Sequence, residues 1–344
     1  MILGKPPHTC SPITAATNGF FLAIGGVSFV KYGTMKVLIG YDGSSFADAA
    51  IDDLQRAGLP ADTQARVLCV ADVWPTMPPI YRDAIVPGPA ELSFAVAEAA
   101  QQRVKSAERE AGELAERARD RVAALFPTWT VEAESVSDSP ASALTERAES
   151  WKADLVVIGS HGRGAVARLF FGSISQKVLR YAPCSVRVGR HVENRPPGPP
   201  RVMLGLDTSE GAAAALDAVA SRPWPAGAQV HLVTAVDVRL ATAIPVLEAS
   251  AYDATPVSTD EQGWLVEAQQ HAAGTLRRAG LVVDATLKDG DAKHVLPHEA
   301  DVWHADCIVV GAKGISRIER FLLGSVSSSV AARAHCSVEV IRYE

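Results

Sequence analysis

The sequence predicts an α/β protein made of two tandem domains, each built on a doubly wound parallel sheet. Strand and helix patterns alternate over most of the 344 residues, which is typical of a parallel sheet with helices on both faces. The pattern that opens at Lys36 begins again at Arg201, so the chain repeats itself. A glycine motif behind a buried-strand pattern also occurs twice with identical internal spacing. A chain of this length can bury two separate cores.

Each predicted element rests on a local pattern. Short apolar runs indicate strands buried on both faces, and the charged, alanine-rich stretches between them indicate amphipathic helices. Ser44 or Ser45 can cap the first helix, and Ser139 with Pro140 opens the third. In order, the first half contains a strand over 36–42, a helix over 45–57, a strand over 65–70, a helix over 90–126, a strand over 130–136, a helix from 139, a strand over 155–158, a helix over 173–180 and a strand over 185–188.

The same patterns divide the chain into four segments. Residues 1–34 match neither repeat, and their one apolar run, over 20–30, is too short to span a bilayer. This run also lacks the small-residue cleavage site that ends a signal peptide, although export stays the alternative for this segment. We predict a poorly ordered N-terminal extension (1–34), a first domain (35–190), a proline-rich linker (191–200) and a second domain (201–344).

Composition and charge exclude several classes of protein. Apolar residues make up 48% and charged residues 21% of the chain, which is typical of a soluble globular protein. A formal net charge of −6 offers no basic field for nucleic acid. The five cysteines form no CxxC pair, which indicates a reducing compartment. We expect a cytoplasmic protein that binds neither nucleic acid nor membrane, with Cys184 and Cys336 as buried structural thiols.

The repeated glycine motif is the first candidate for a functional site. It consists of Gly159, Gly162 and the pair Gly172-Ser173 in the first half, and it recurs 152 positions later. A helix pattern follows the glycine pair, so free backbone N–H groups and the helix dipole would favour an anion there. Glycine at 159 and 162 permits positive φ and a close approach of the backbone to a ligand. The motif predicts a phosphate cradle; an ordinary strand-to-helix turn is the alternative, which the duplication disfavours.

An aspartate ends the first strand of each repeat. Asp42 and Asp207 would lie beside the glycine motifs, because the carboxyl ends of parallel strands meet at one edge of a sheet. A carboxylate near a phosphate cradle suits hydrogen bonds from ribose hydroxyls, which makes a nucleotide the simplest ligand. A turn or helix cap is the alternative role for each aspartate. The sequence has no Walker lysine loop and no G-x-G-x-x-G after the first strand, so a P-loop NTPase or a Rossmann dehydrogenase is not indicated.

On these residues the chain resembles the tandem form of the ATP-binding universal stress proteins. The likeness is carried by Asp42, Asp207, the two glycine motifs and the closing segment 182–186 with its repeat, and it covers about residues 35–190 and 200–343. The resemblance implies a Rossmann-like, adenine nucleotide alpha-hydrolase-like fold in each half. It also implies ATP as ligand, with Mg²⁺ as a candidate companion ion.

The resemblance assigns the ligand contacts by position: the aspartate at the ribose, a second-strand residue beside the adenine and the glycine motif around the phosphates. In the first half these positions are Gly40, Tyr41, Asp42, Val70, Ile158, Gly159, His161, Gly162, Gly172, Ser173, Ile174 and Ser175. In the second half they are Gly205, Asp207, Ala235, Val310, Gly311, Lys313, Gly314, Gly324, Ser325, Val326 and Ser327.

The two sets are not identical. Lys313 stands where the first half has His161 and places a fixed positive charge near the phosphates, and Ala235 replaces Val70 with a smaller wall against a base. Arg168 and its counterpart Arg320 lie inside the nine-residue spacers, where they could reach a phosphate or decorate an exposed loop. We therefore expect the two sites to differ in affinity.

Other candidate sites are weaker. The spacing of His294, His298 and His304 could place two imidazoles on one helix face, but the corresponding first-half residues are solvent-facing types, so no metal site is predicted. No Ser-His-Asp or Cys-His set and no general base can be assembled from matched positions, so no catalytic residue is assigned.

The expected function is that of a nucleotide-dependent sensor or regulator in the stress response, acting on a protein partner that the sequence does not identify. A slow ATPase or phosphate-transferring enzyme and a nucleotide-independent, chaperone-like interaction module are the alternatives. Family dimers imply that the halves pair through their last strands, Ser185–Val188 and Ser337–Ile341, as a dimer-like unit within one chain. Further self-association into a homo-oligomer is then open.

Overall fold

Strands and helices alternate in both halves of the computed structural model, which describes residues 34–72, 90–162, 171–192, 195, 197–236, 260–312 and 323–343. The first half contains β1 (Lys36–Gly40), α1 (Ser45–Asp53), β2 (Gln64–Ala71), α2 (Ala90–Leu125), β3 (Thr130–Ser137), α3 (Pro140–Trp151), β4 (Leu155–Gly159), α4 (Ser173–Tyr181) and β5 (Ser185–Gly189). The second half contains β6 (Arg201–Gly205), α5 (Glu210–Ala220), β7 (Gln229–Val236), α6 (Asp260–Arg278), β8 (Val282–Asp289), α7 (Ala292–Val302), β9 (Cys307–Gly311), α8 (Ser325–Arg333) and β10 (Ser337–Ile341).

The ten described strands form one sheet in the order β3-β2-β1-β4-β5-β10-β9-β6-β7-β8. Within each half every ladder is parallel, and the order is the same. Leu38 of β1 pairs with Arg66 of β2 on one side and with Val156 of β4 on the other. The carboxyl ends of β1 and β4 therefore lie together at one edge, as the predicted parallel α/β fold requires.

The first helix is shorter than its pattern predicts. Ser44 caps it by accepting a hydrogen bond from the N–H of Ala47 at 3.2 Å, which agrees with the expected start. The α-helix ends at Asp53, and a 3₁₀ turn over Leu54–Arg56 replaces its last turn. This tightening is common at helix ends, where the last carbonyls lack partners.

The halves join through antiparallel pairing of β5 with β10, which confirms the predicted contact between the last strands. Val188 pairs with Val338, and Val186 pairs with Val340. These four valines are fully buried in a hydrophobic cluster that draws on both halves. Both halves accordingly belong to one compact unit, which spans residues 31–344.

Two arginines hold the halves together in a reciprocal way. Arg342, after β10, donates to the carbonyls of Leu179 at 2.7 Å and Arg180 at 3.0 Å, at the end of α4. Arg190, 152 positions earlier in the sequence, binds the carbonyls of Ala331 and Cys336 around the end of α8. Each half thus caps the last helix of the other with a cation, which the helix dipole favours.

The expected structural thiols lie in this same region. Cys336 is buried and Cys184 is half-buried, and burial raises the pKa of each thiol to about 12. Both therefore stay protonated at neutral pH and behave as small apolar side chains. Among the described residues, no helix is long and apolar enough to cross a membrane.

Candidate functional site

The carboxyl edge of the first half brings together residues that are far apart in the sequence. Asp42 follows β1, and Gly162 follows β4. A Cβ built on Gly162 would lie 3.0 Å from Oδ2 of Asp42, so the glycine backbone packs directly against the carboxylate. The predicted meeting of the strand-end aspartate with the glycine motif is therefore present in the structure.

The glycine motif is closed by hydrogen bonds between its two parts. The N–H of Gly172 donates to the carbonyl of Ser160 at 3.0 Å, and the hydroxyl of Ser175 donates to the carbonyl of Gly159 at 2.9 Å. Gly172 is the N-cap of α4 and offers no side chain to its N–H groups. This helix start is therefore held against the end of β4, and its glycine cap leaves the first N–H groups of α4 without a side-chain acceptor, as an anion site requires.

The expectation of positive φ at Gly159 and Gly162 is wrong. Neither glycine adopts a left-handed conformation. Close packing explains glycine at 159, because a Cβ there would lie 2.8 Å from the backbone carbon of Phe46 at the start of α1. Close packing also explains glycine at 172, because a Cβ built there would lie only 3.0 Å from the carbonyl oxygen of Ser160. These glycines serve close approach and not an unusual backbone turn.

Both strand-end aspartates form turns. Oδ1 of Asp42 accepts from the N–H of Ser44 at 3.0 Å, and Oδ1 of Asp207 accepts from the N–H of Ser209 at 2.9 Å. The alternative role of turn former is therefore present in both halves. Ser44 and Ser209 then cap α1 and α5, so each aspartate is fixed by the start of the helix that follows it.

Aromatic side chains cover the first-half site. The ring of His161 lies 4.9 Å from that of Phe46, and Nδ1 of His161 is 3.0 Å from the hydroxyl of Ser160. Tyr41 donates to Asp48 at 2.9 Å; burial and this carboxylate raise the pKa of the phenol to about 12. Ser160 lies inside the motif that the sequence singled out, whereas no pattern singled out Phe46, which sequence reasoning missed.

The second half repeats the closure of the motif. The N–H of Gly324 donates to the carbonyl of Ala312 at 2.7 Å, and Ser327 donates to the carbonyl of Gly311 at 2.6 Å. Gly324 is again a helix N-cap without a side-chain hydrogen bond. The candidate residues Lys313 and Gly314, and both spacer arginines, lie outside the described residues.

The residues that line the two candidate sites differ at two positions that the sequence prediction did not compare. Leu206 stands in the place of Tyr41, and Gly211 stands in the place of Phe46. A Cβ on Gly311 would lie 2.4 Å from the backbone carbon of Gly211, so the strand end and α5 are in tighter contact here. Among the described residues, the second site therefore has no aromatic side chain at the two positions that Tyr41 and Phe46 occupy in the first.

The remaining candidate residues divide into two groups. Ile158 and Val310 are buried, and each packs against the glycine that ends the neighbouring first strand, Gly40 or Gly205. At the helix starts Ser173, Ile174 and Ser325 are exposed and Val326 is half-buried, while Val70 and Ala235, at the ends of β2 and β7, are half-buried.

Among the described side chains, no group of three or more His, Cys, Asp or Glu residues is arranged to hold a metal ion. The side chains of His294, His298 and His304 are exposed. His294 has Arg333 as its neighbour, with the guanidinium 3.1 Å from Nδ1.

Comparison with known proteins assigns the chain to a family. The model of the universal stress protein family matches residues 33–190 and again residues 200–342. A universal stress protein of Mycolicibacterium smegmatis is 28% identical over 321 residues, which covers 92% of this chain and 98% of the relative. The universal stress protein Rv2005c of Mycobacterium tuberculosis is 31% identical over 219 residues, or 62% of this chain and 69% of the relative.

A solved structure supports the same fold. The crystal structure of a universal stress protein from Archaeoglobus fulgidus aligns with a TM-score of 0.58 at 17% identity, covering 90% of this chain and 99% of that one. At this identity the likeness concerns the fold alone. Together with the family model, which matches both halves in tandem, it leads to one assignment. The chain belongs to the universal stress protein family.

Proposed function

We propose that the chain binds an adenine nucleotide, ATP together with Mg²⁺, at the carboxyl edge of the sheet in each half. The observation that carries this proposal is the contact of Asp42 with Gly162, which joins a ribose acceptor to a phosphate cradle across 120 positions of sequence. The glycine-capped start of α4 supplies N–H groups for the phosphates. Glycine at 162 lets the backbone pack against Asp42, and the glycine cap at 172 leaves the first N–H groups of α4 without a side-chain acceptor, so the residues present fit the nucleotide.

The nucleotide would act as a signal and not as a substrate. The described residues of the edge offer an aspartate fixed in a turn and no pair of groups arranged as base and nucleophile. In this proposal the occupied state presents a surface to a protein partner in the cytoplasm, and the chain works as a sensor or regulator in a stress response. The domain bounds 35–190 and 201–344, the linker 191–200 and self-association of the chain stay predictions.

Substitution of the strand-end aspartates tests the ligand. Asn keeps the turn, because its amide oxygen can still accept from Ser44 or Ser209, but it removes the negative charge. We expect Asp42→Asn to weaken ATP binding at the first site about tenfold and Asp207→Asn to do so at the second, as measured by calorimetric titration. Asp62→Asn, at the opposite edge of the sheet, is the matched control. Unchanged affinity in both site variants would overturn the assigned role of the aspartates.

A second measurement separates the sensor role from its alternatives. ADP formation that depends on the strand-end aspartates would favour a slow ATPase. A variant that folds and no longer binds ATP, yet still contacts the same partner, would favour a nucleotide-independent module.

A further inference from the structure

A cavity of about 670 Å³ lies between the two halves, beside the glycine motif of the first half. One wall is formed by Ser160, His161 and the first turns of α1, and the other by the end of α7 and the segment between α8 and β10. The histidines that line it are four of the nine in the chain: His161, His191, His304 and His335. Two of these four belong to the second half.

The two halves have equivalent positions around their glycine motifs, and the histidines occupy only those around the motif of the first half. The positions 152 residues away, which would surround the motif of the second half, hold Lys313, Tyr343, Lys152 and Pro183. His304 and Lys152 both have a left-handed backbone, with φ of 52° and 54°. The equivalent positions therefore share this backbone conformation but carry different side chains. The histidine cluster is a property of the first site alone.

The acidic side chains of the cavity are already engaged. Asp48 accepts from the phenol of Tyr41 at 2.9 Å, and Asp52 accepts from Arg121 at 2.7 Å. Asp301 lies 3.9 Å from Nε2 of His335. Arg121, which lies 2.7 Å from Asp52 and 3.8 Å from Asp48, partly neutralises these two charges, so the cavity is less acidic than its lining residues suggest.

The hydrogen-bond donors of the cavity have fewer partners. The guanidinium of Arg190 binds the carbonyls of Ala331 and Cys336 and lies 5.7 Å from the ring centre of Phe171, and within the described part of the chain it has no hydrogen bond to a carboxylate. Burial lowers the pKa of Arg190 to about 10, so the charged form would gain from an anion. Nε2 of His161 is buried and has no hydrogen-bond partner among the described residues. If the hydroxyl of Ser160 donates to Nδ1, then Nε2 carries the proton and requires an acceptor.

From this arrangement we infer that the cavity is an anion subsite for the terminal phosphates of the nucleotide in the first half. The inference rests on the proposed function, because ATP is the nucleotide whose phosphates would bind here. Inorganic tripolyphosphate has the same polyphosphate chain and therefore serves as a probe of the subsite alone. Arg190 and His161 contact the phosphates from the first half, and His304 and His335 contact them from the second. A nucleotide in the first site then contacts both halves, and the site distinguishes ATP from AMP. The second site has no equivalent histidines and cannot make these contacts through imidazole.

The test follows the histidine ring signals of the full chain by NMR, with ¹³C-labelled histidine. His304→Asn and His335→Gln assign the two signals; Asn at 304 suits the left-handed backbone. Lys152→Asn is the matched control at the equivalent place. ATP, AMP, tripolyphosphate and Zn²⁺ are titrated separately into each protein, and calorimetry gives the affinities in parallel.

We expect ATP and tripolyphosphate, but not AMP, to shift the signals of His304 and His335. The His304→Asn/His335→Gln double variant should bind ATP about tenfold more weakly and AMP unchanged, while Lys152→Asn should change neither. If ATP binds and the two signals do not move, the subsite is wrong and the proposed function stands. If no nucleotide binds but tripolyphosphate shifts the signals, the proposed function fails and the subsite stands. A response to Zn²⁺ without one to tripolyphosphate would overturn the anion subsite.

Discussion

Arg187 of β5 and Glu339 of β10 occupy equivalent positions in the two halves, yet they face each other with opposite charges. The guanidinium lies 2.8 Å from Oε2 of Glu339, and both side chains are fully buried. Asp53 binds Arg187 at 2.7 Å, and Arg222 binds Glu339 from the second half. Because equivalent positions meet at this point, two identical halves would bury two like charges here. The chain therefore favours pairing between its own unlike halves.

Removing one charge of this network should be costly. Arg187→Met leaves Asp53 and Glu339 buried with fewer partners, and we expect a loss of about 3–5 kcal/mol in the free energy of unfolding. Urea denaturation followed by circular dichroism measures the loss. Arg109→Met, in an exposed ion pair with Glu113, is the control and should be nearly neutral. Equal stability of the two variants would show that the buried network contributes little.

The same network should make the free energy of unfolding depend on pH in the acidic range. Burial alone would raise the pKa of Glu339, but Arg222 and Arg187 together lower it to about 2, from an ordinary value of 4.5. A lowered folded-state pKa means that the contribution is fully present above about pH 4.5 and is lost as the pH falls toward 2.

Glu339→Gln should therefore flatten the stability profile between about pH 4.5 and pH 2. The measurement is the free energy of unfolding as a function of pH, with Glu132→Gln on β3, an exposed carboxylate, as the control. If the Glu339→Gln profile falls as steeply in that range as that of the original chain, other carboxylates account for the acid sensitivity.

The cap that Arg342 places on α4 should also be measurable. Arg342→Met leaves the carbonyls of Leu179 and Arg180 without their charged donor, and we expect a loss of about 1–2 kcal/mol. Thermal unfolding compares this variant with Arg277→Met, whose guanidinium makes one exposed contact with a carbonyl. A cap variant as stable as this control would contradict a role for Arg342 in joining the halves.

A methyl group at Gly162 should damage the site and spare the fold. Gly162→Ala places a Cβ 3.0 Å from Asp42, at the surface where the cradle and the carboxylate meet. We expect at least about tenfold weaker ATP binding at the first site and an unchanged unfolding temperature. Gly263→Ala, in α6, is the control, because nothing lies within 4 Å of its Cβ. Normal ATP affinity in Gly162→Ala would remove Gly162 from the proposed cradle.

The sequence was sufficient to predict the parallel sheets, because buried strands are continuous apolar runs and the repeat shows their order. The pairing of the last strands was predicted only through the resemblance to a family that forms such dimers. The sequence was also sufficient to place Asp42 beside the glycine motif. It could not predict how the glycines are used, since close approach of α1 to Gly159 is a tertiary contact and not a local preference. The histidine cavity was equally hidden, because its four imidazoles come from segments up to 174 positions apart.

The number of nucleotides bound per chain tests the central proposal most directly. Protein is first denatured and its supernatant chromatographed to identify any nucleotide carried through purification, and ATP with Mg²⁺ is then titrated into stripped protein by calorimetry. Two equivalents per chain are the expected result, with a first site that is lost in Gly162→Val. No bound nucleotide after purification and no heat of binding would contradict the account and leave a nucleotide-independent interaction module in its place.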